Sequence, residues 1–62
     1  GGASKLFAAA GRVLRPGGQL WTVFNTHLNY RRELAEAVGP TDSMGRNSKF
    51  TVARSVRPSE RR

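Results

Sequence analysis

Residues 14–30 read "LRPGGQLWTVFNTHLNY", a turn signal, a short apolar run and a polar stretch that carries the chain's only histidine. The fold class depends on the apolar run. In "QLWTVF", Leu20, Thr22 and Phe24 alternate with Trp21 and Val23, and in an extended chain alternate side chains point to opposite faces. Both sets are mostly apolar, which is the pattern of a strand covered on two sides rather than wetted on one. Trp21 is therefore expected in the core, where its loss would cost more than that of Tyr30 or His27. Such a strand needs helices around it, and the flanking sequence supplies two.

Upstream, "SKLFAAAGRVL" sets Leu6, Phe7, Ala10, Val13 and Leu14 on one 3.6-residue stripe. That predicts an amphipathic helix with Ser4 as its N-cap. Arg12 and Arg15 suit its negative pole, and Pro16 stops it. Downstream, "YRRELAEAVG" aligns Tyr30, Leu34, Ala37 and Val38, with Asn29 as the expected cap, an Arg32–Glu36 pair at i, i+4, and Gly39-Pro40 as the stop. "KFTVARSV" predicts another strand, Phe50, Val52 and Val56 alternating with Thr51, Ala53 and Ser55. "TDSMGRNS" between them offers turn residues and at most a short strand over 41–44. The expected fold is α/β, with two helices and two to three strands closed by an antiparallel hairpin.

Sixty-two residues make one small domain at most, and a chain of that size buries only about 60% of its unfolded surface. The absence of cysteine rules out disulfides and thiolate–zinc sites and fits a reducing cytoplasm. No apolar run reaches the roughly 18 residues of a membrane span, so no membrane partner is expected. Eleven Lys and Arg against four Asp and Glu give a formal charge of +7, which points to an anionic partner, nucleic acid above all. Arg46, Lys49, Arg54, Arg57, Arg61 and Arg62 crowd the C-terminal third. They read either as an RNA-facing surface or as a solvated basic tail, with 58–62 as the flexible end.

The glycine pair is structural. A phosphate-cradling loop follows a strand and opens a helix, whereas Arg15-Pro16-Gly17-Gly18 leads from helix into strand. Proline then glycine is the signature of a type II turn. The polar stretch from Asn25 to Tyr30 stands differently, because open α/β sheets take their ligands outside the carboxyl ends of their strands. Asn25, Thr26, His27 and Asn29 are thus in reach of a substrate edge, unless Asn25 and Asn29 only cap and turn the chain. His27 has no neighbours at metal-ligand spacing and no orienting partner for general-base work. Glu33 and Glu36 read as a solvated helix side paired with arginines.

Taken together, these residues resemble a known family. "RVLRPGGQLWTVF" is similar to the helix, turn and fifth strand of class I S-adenosylmethionine-dependent methyltransferases. The continuation "NTHLNY" and the closing "RNSKFTVARSV" resemble the C-terminal end of the ribosomal RNA guanine-N2 methyltransferases, the large-subunit methyltransferase G and small-subunit methyltransferase C families. Asn25, His27, Leu28 and Tyr30 match the motif after the fifth strand; Asn47, Lys49 and Phe50 match the lead-in to the last strand. Asn29 stands where that motif often has proline.

The resemblance implies a Rossmann-like sheet whose last strand inserts antiparallel beside the fifth, residues 1–57 forming the C-terminal part of the domain. It implies ribosomal RNA as partner and S-adenosylmethionine as cofactor of the parent enzyme, with Asn25, His27 and Tyr30 near the substrate. The family's glycine-rich cofactor loop, its ribose-holding acid and its target-gripping Asn-Pro-Pro-Phe-type motif have no counterpart here. No catalytic, cofactor-binding or metal-binding residue carries over, and the chain alone is expected to be inactive and cofactor-free. Two other readings stand beside it: a free-standing basic RNA-binding module with Trp21, Tyr30 or Phe50 as stacking platforms, and an assembly piece that self-associates through an exposed sheet edge.

Overall fold

A computed structural model describes residues 2–59. The turn that precedes the apolar run is formed as the sequence predicts. Gly17 takes φ +83°, a value that only glycine adopts without strain, and the Gly18 amide donates to the Arg15 carbonyl at 2.7 Å. This turn joins helix α1, Gly2–Val13, to strand β1, Gln19–Asn25. A single 3-10 turn over Thr26–Leu28 leads on to helix α2, Arg31–Ala37, and strands β2, Thr41–Arg46, and β3, Phe50–Val56, close the chain.

The sheet order is β1-β3-β2, with β3 antiparallel to both neighbours. It follows that β1 and β2 run parallel to each other and end on the same edge. The register pairs Asn25 with Phe50 and Arg46 with Thr51, so the ends of both strands and the start of β3 lie side by side. This is the α/β arrangement expected, including the antiparallel closing strand, and β2 extends two residues beyond the short strand expected over 41–44.

Both helices cover one face of the sheet. Phe7 of α1, Leu34 of α2 and Ala53 of β3 form the core, with Leu20, Phe24, Tyr30, Ala3 and Ala37 packed against it. Four expectations fail here, each for a physical reason. The apolar stripe of α1 faces the core only in part: Phe7 is buried, but Leu6 is 67% and Val13 81% exposed. The buried residues are Phe7 and Gly11, because α1 crosses α2 so closely that a Cβ on Gly11 would fall 2.2 Å from the Ala37 carbonyl oxygen. Backbone approach, rather than side-chain hydrophobicity, sets the rotation of the helix.

Ser4 is inside α1, not at its cap, and its hydroxyl donates to the Glu33 carboxylate of α2 at 3.3 Å. Asn29 does not cap α2 either. It sits at φ +45° as the end of the 3-10 turn, and Tyr30 is the residue at the N-cap. Proline, with φ fixed near −65°, cannot occupy that backbone.

The strand faces also depart from expectation. Trp21 is 54% exposed, Val23 67% and Phe50 52%, since both helices pack on the other side of β1 and β3. The buried face of β3 is Thr51, Ala53 and Ser55, small residues that let α2 lie close. Their hydroxyls are paired. Thr41 donates to the Gly39 carbonyl at 2.9 Å, so the 2.8 Å contact between the Thr41 and Ser55 hydroxyls has Ser55 as donor. Thr22 is the exception, its Oγ1 buried with no hydrogen-bond partner among the described residues. Leaving a buried hydroxyl unpaired costs about 1–3 kcal/mol, and valine has nearly the same shape. Thr22→Val is expected to raise stability by about 1 kcal/mol in a urea melt; a loss of stability would mean that this hydroxyl is satisfied.

Candidate functional site

The end of β1 is built from local hydrogen bonds. Asn25 is extended, and its side-chain carbonyl oxygen accepts the His27 amide at 3.0 Å, which starts the 3-10 turn. The Thr26 amide donates to the Lys49 carbonyl at 2.8 Å. The Thr26 hydroxyl donates to the Asn47 carbonyl at 3.0 Å and meets the Thr51 hydroxyl at 2.9 Å, where Thr51 must then be the donor. Asn47 in turn accepts the amides of Lys49 and Phe50 through Oδ1, both at 2.8 Å. The loop after β1 and the β2–β3 turn are thus locked to each other. Polar residues that read as loop in the sequence form one ordered corner.

Of the residues expected near substrate, His27 is exposed at the crest of the 3-10 turn. Asn25 is also exposed, but its carbonyl oxygen is committed to the turn. Tyr30 is half-buried, its ring edge-on to Phe7 at 5.4 Å and tilted against Phe24 at 5.6 Å. It pins α1, β1 and the start of α2 together. The loop does not gather all three: His27 and Asn25 face solvent while Tyr30 packs beneath them.

A cleft of about 70 Å³ opens beside this corner, lined by Phe24, Thr26, Asn29, Arg31, Ser43, Arg46 and Thr51. Arg31 opens α2, and its Nε donates to the Thr41 carbonyl at 3.2 Å. Arg46 ends β2 on the far side. Sequence reading named Arg46 only among the basic residues of an RNA-facing surface, and did not name Arg31. The usable signal was that Arg31 follows the polar loop by one residue, but the parallel alignment of β2 with β1, which brings Arg46 there, is visible only in the fold.

The basic residues of the C-terminal third divide by role. Arg54 pairs with Asp42 at 3.7 Å. Arg57 donates to the carbonyls of Leu14 and, at 3.4 Å, Arg12, capping the end of α1 where backbone acceptors are left over. Arg61 and Arg62, with most of the tail expected over 58–62, lie outside the described residues. On α2, Arg32 and Glu36 form the expected pair at 3.6 Å. No group of three or more His, Cys, Asp or Glu among the described residues is placed to hold a metal ion, and no described helix is long and apolar enough to cross a membrane.

The glycine turn offers no anion cradle. Gly17 donates its amide to the Arg57 carbonyl at 2.7 Å and Gly18 to Arg15, and Pro16 has no amide hydrogen. The strand-to-helix loop, 26–30, contains no glycine.

Two parallel strands with a reversed strand between them, helices on one face, and a polar corner at the shared carboxyl edge define the closing end of a methyltransferase-type α/β sheet. The chain belongs to the methyltransferase small domain family, whose model matches residues 2–54. It is 42% identical over 53 residues to ribosomal RNA large subunit methyltransferase G of Streptomyces coelicolor and 40% identical over 53 residues to that of Streptomyces avermitilis, 86% of this chain in both cases. It is 43% identical over 54 residues, 87% of the chain, to the protein of that name from Magnetococcus marinus. The chain spans about 14% of the length of the Streptomyces relatives and 15% of the Magnetococcus one.

Proposed function

We propose that this chain is the sheet-closing, substrate-side segment of an S-adenosylmethionine-dependent methyltransferase that modifies guanine N2 in large-subunit ribosomal RNA. The observation that carries the reading is the sheet: β3 inserted antiparallel between β1 and β2, with the ordered loop after β1 at their common carboxyl edge. Ligands of open α/β sheets bind outside that edge. The relatives' names supply the substrate class.

In this reading, elements outside the chain hold the cofactor and the target amine, and residues 1–57 complete the domain. The chain supplies the rim of the substrate pocket. An extruded base is gripped by stacking and by hydrogen bonds along its edge. His27, exposed on the 3-10 turn, offers ring nitrogens to that edge, and Asn25 offers its amide NH₂ while its oxygen holds the turn. Tyr30 acts from below, fixing the loop through its contacts with Phe7 and Phe24.

The test is a hybrid in which this chain replaces the matching stretch of the Streptomyces coelicolor methyltransferase. There, His27→Ala is expected to lower methyl transfer to RNA while cofactor affinity and melting temperature stay unchanged. Activity and melting temperature falling together would assign the loop to structure alone. Calorimetric titration of the isolated chain with S-adenosylmethionine is expected to show no binding, and micromolar affinity would contradict the fragment reading. The parent protein is expected to act in the cytoplasm, with its ribosomal substrate.

A further inference from the structure

Nine cations lie among the described residues, and three of those without an acidic partner there, Lys5, Arg12 and Arg15, lie on α1 or in the turn after it; the other six divide by role. Arg32, Arg54 and Arg57 are held by Glu36, by Asp42 and by helix carbonyls. Arg31, Arg46 and Lys49 have no acidic partner among the described residues, and all three stand at the carboxyl edge of β1 and β2. Arg31 bonds the protein through Nε to the Thr41 carbonyl, which leaves its Nη groups without a protein partner among the described residues. Lys49 is fixed there by its backbone, its carbonyl accepting the Thr26 amide.

The lining of the cleft between Arg31 and Arg46 contains the Ser43 hydroxyl and the Asn29 carboxamide as uncommitted donors, the hydroxyls of Thr26 and Thr51, whose protons go to Asn47 and Thr26, and no carboxylate. Guanidinium, hydroxyl and amide donors converging without a negative group make a site for an oxyanion. Size narrows the choice. Pockets that enclose a drug-sized ligand run to about 300–1,000 Å³, and this cleft holds about 70 Å³, room for one phosphate rather than a nucleobase.

We propose that the cleft between Arg31 and Arg46, with Lys49 on the same edge, holds a backbone phosphate of the RNA strand that flanks the target base, a subsite that rests on the function proposed above. Phosphate contacts set register and orientation, and base contacts set sequence. The cleft performs the first role for the loop that carries His27, which lies on the same edge.

The test is fluorescence anisotropy of a labelled single-stranded RNA oligonucleotide with the full 62-residue chain over a salt series. Each phosphate neutralised contributes about 0.7 to the slope of log K against log salt for single strands. The double variant Arg31→Gln, Arg46→Gln is expected to lower that slope by about 0.7. Arg12→Gln, Arg15→Gln, which removes the same charge at the opposite end of β1, is expected to leave it nearly unchanged. Equal losses from both pairs would mean diffuse attraction and would overturn the proposal, as would no loss from either. Arg31→Gln also removes the bond to Thr41. If the circular dichroism spectrum of the first pair changes, Arg46→Gln with Lys49→Gln carries the same test, since neither side chain makes a hydrogen bond or ion pair within the described protein. The hybrid separates the two readings. An active hybrid with a diffuse slope removes the phosphate site alone, and an inactive hybrid with a cleft-localised slope removes the proposed function alone.

Discussion

Leu34→Ala is expected to leave the chain without a stable fold. Leu34 is fully buried, at 0% exposure, and sits between Phe7 of α1 and Ala53 of β3. Truncating such a residue costs about 2–5 kcal/mol through lost transfer free energy and the cavity left behind. A domain of this size has a total stability of roughly 3–9 kcal/mol, at about 0.05–0.15 kcal/mol per residue. The substitution removes much of that. Urea denaturation followed by far-UV circular dichroism should show the midpoint collapse for Leu34→Ala, while Trp21→Ala costs about 1 kcal/mol or less, in keeping with its 54% exposure. The reverse order would place α2 outside the core and the Trp21 face inside it.

Gly11→Ala is the second large effect. The new Cβ would lie 2.2 Å from the Ala37 carbonyl oxygen and 3.2 Å from its carbon. The clash is with backbone, which no rotamer change can relieve, so the α1–α2 crossing must open. Overpacking of this kind costs about 1–3 kcal/mol and occasionally more. In an exposed helix interior the same change gains up to about 1 kcal/mol. Gly2→Ala in the same helix meets nothing within 4 Å and is expected to leave stability unchanged or slightly raised. Melting temperatures of the two variants should move apart. A neutral Gly11→Ala would mean that the helices do not touch there.

The elements and their order were legible because their signals are local. Period 3.6 in "YRRELAEAVG", period 2 in "QLWTVF" and Pro-Gly at the turn each report on a few neighbouring residues. What the sequence misassigned was which face is buried, and that depends on distant partners. Leu6 and Val13 looked like core until the closest contact of α1 proved to be a glycine against a carbonyl. The apolar side of β3 is the less buried one: the small hydroxyl face accepts α2, which leaves Phe50 exposed and Val52 half-buried. Trp21 and Val23 do carry the apolar character of a strand covered on two faces, and here only one face has helices on it. In a complete methyltransferase sheet, that second face and the free edge of β1 are where we expect the rest of the domain to pack; in the isolated chain, the same edge is a route to self-association.

The candidate site was half legible. The loop after β1 could be singled out because a polar run follows an apolar strand, and His27 stands exposed on it. Asn25 and Tyr30 turned out to have structural duties in the same loop, one starting the 3-10 turn and the other pinning it to Phe7 and Phe24. Arg46 could not be placed there from spacing, because it reaches the cleft only through the pairing of β2 with β3.

The most direct measurement is methyl transfer by the hybrid enzyme, with S-adenosylmethionine labelled in its methyl group and unmodified large-subunit ribosomal RNA as substrate. If residues 1–57 close the sheet of such an enzyme, the hybrid should form N2-methylguanine at a rate within about tenfold of the Streptomyces coelicolor parent, a barrier difference of about 1.4 kcal/mol. A hybrid that folds and binds the cofactor yet transfers no methyl group to that RNA would contradict the proposed function.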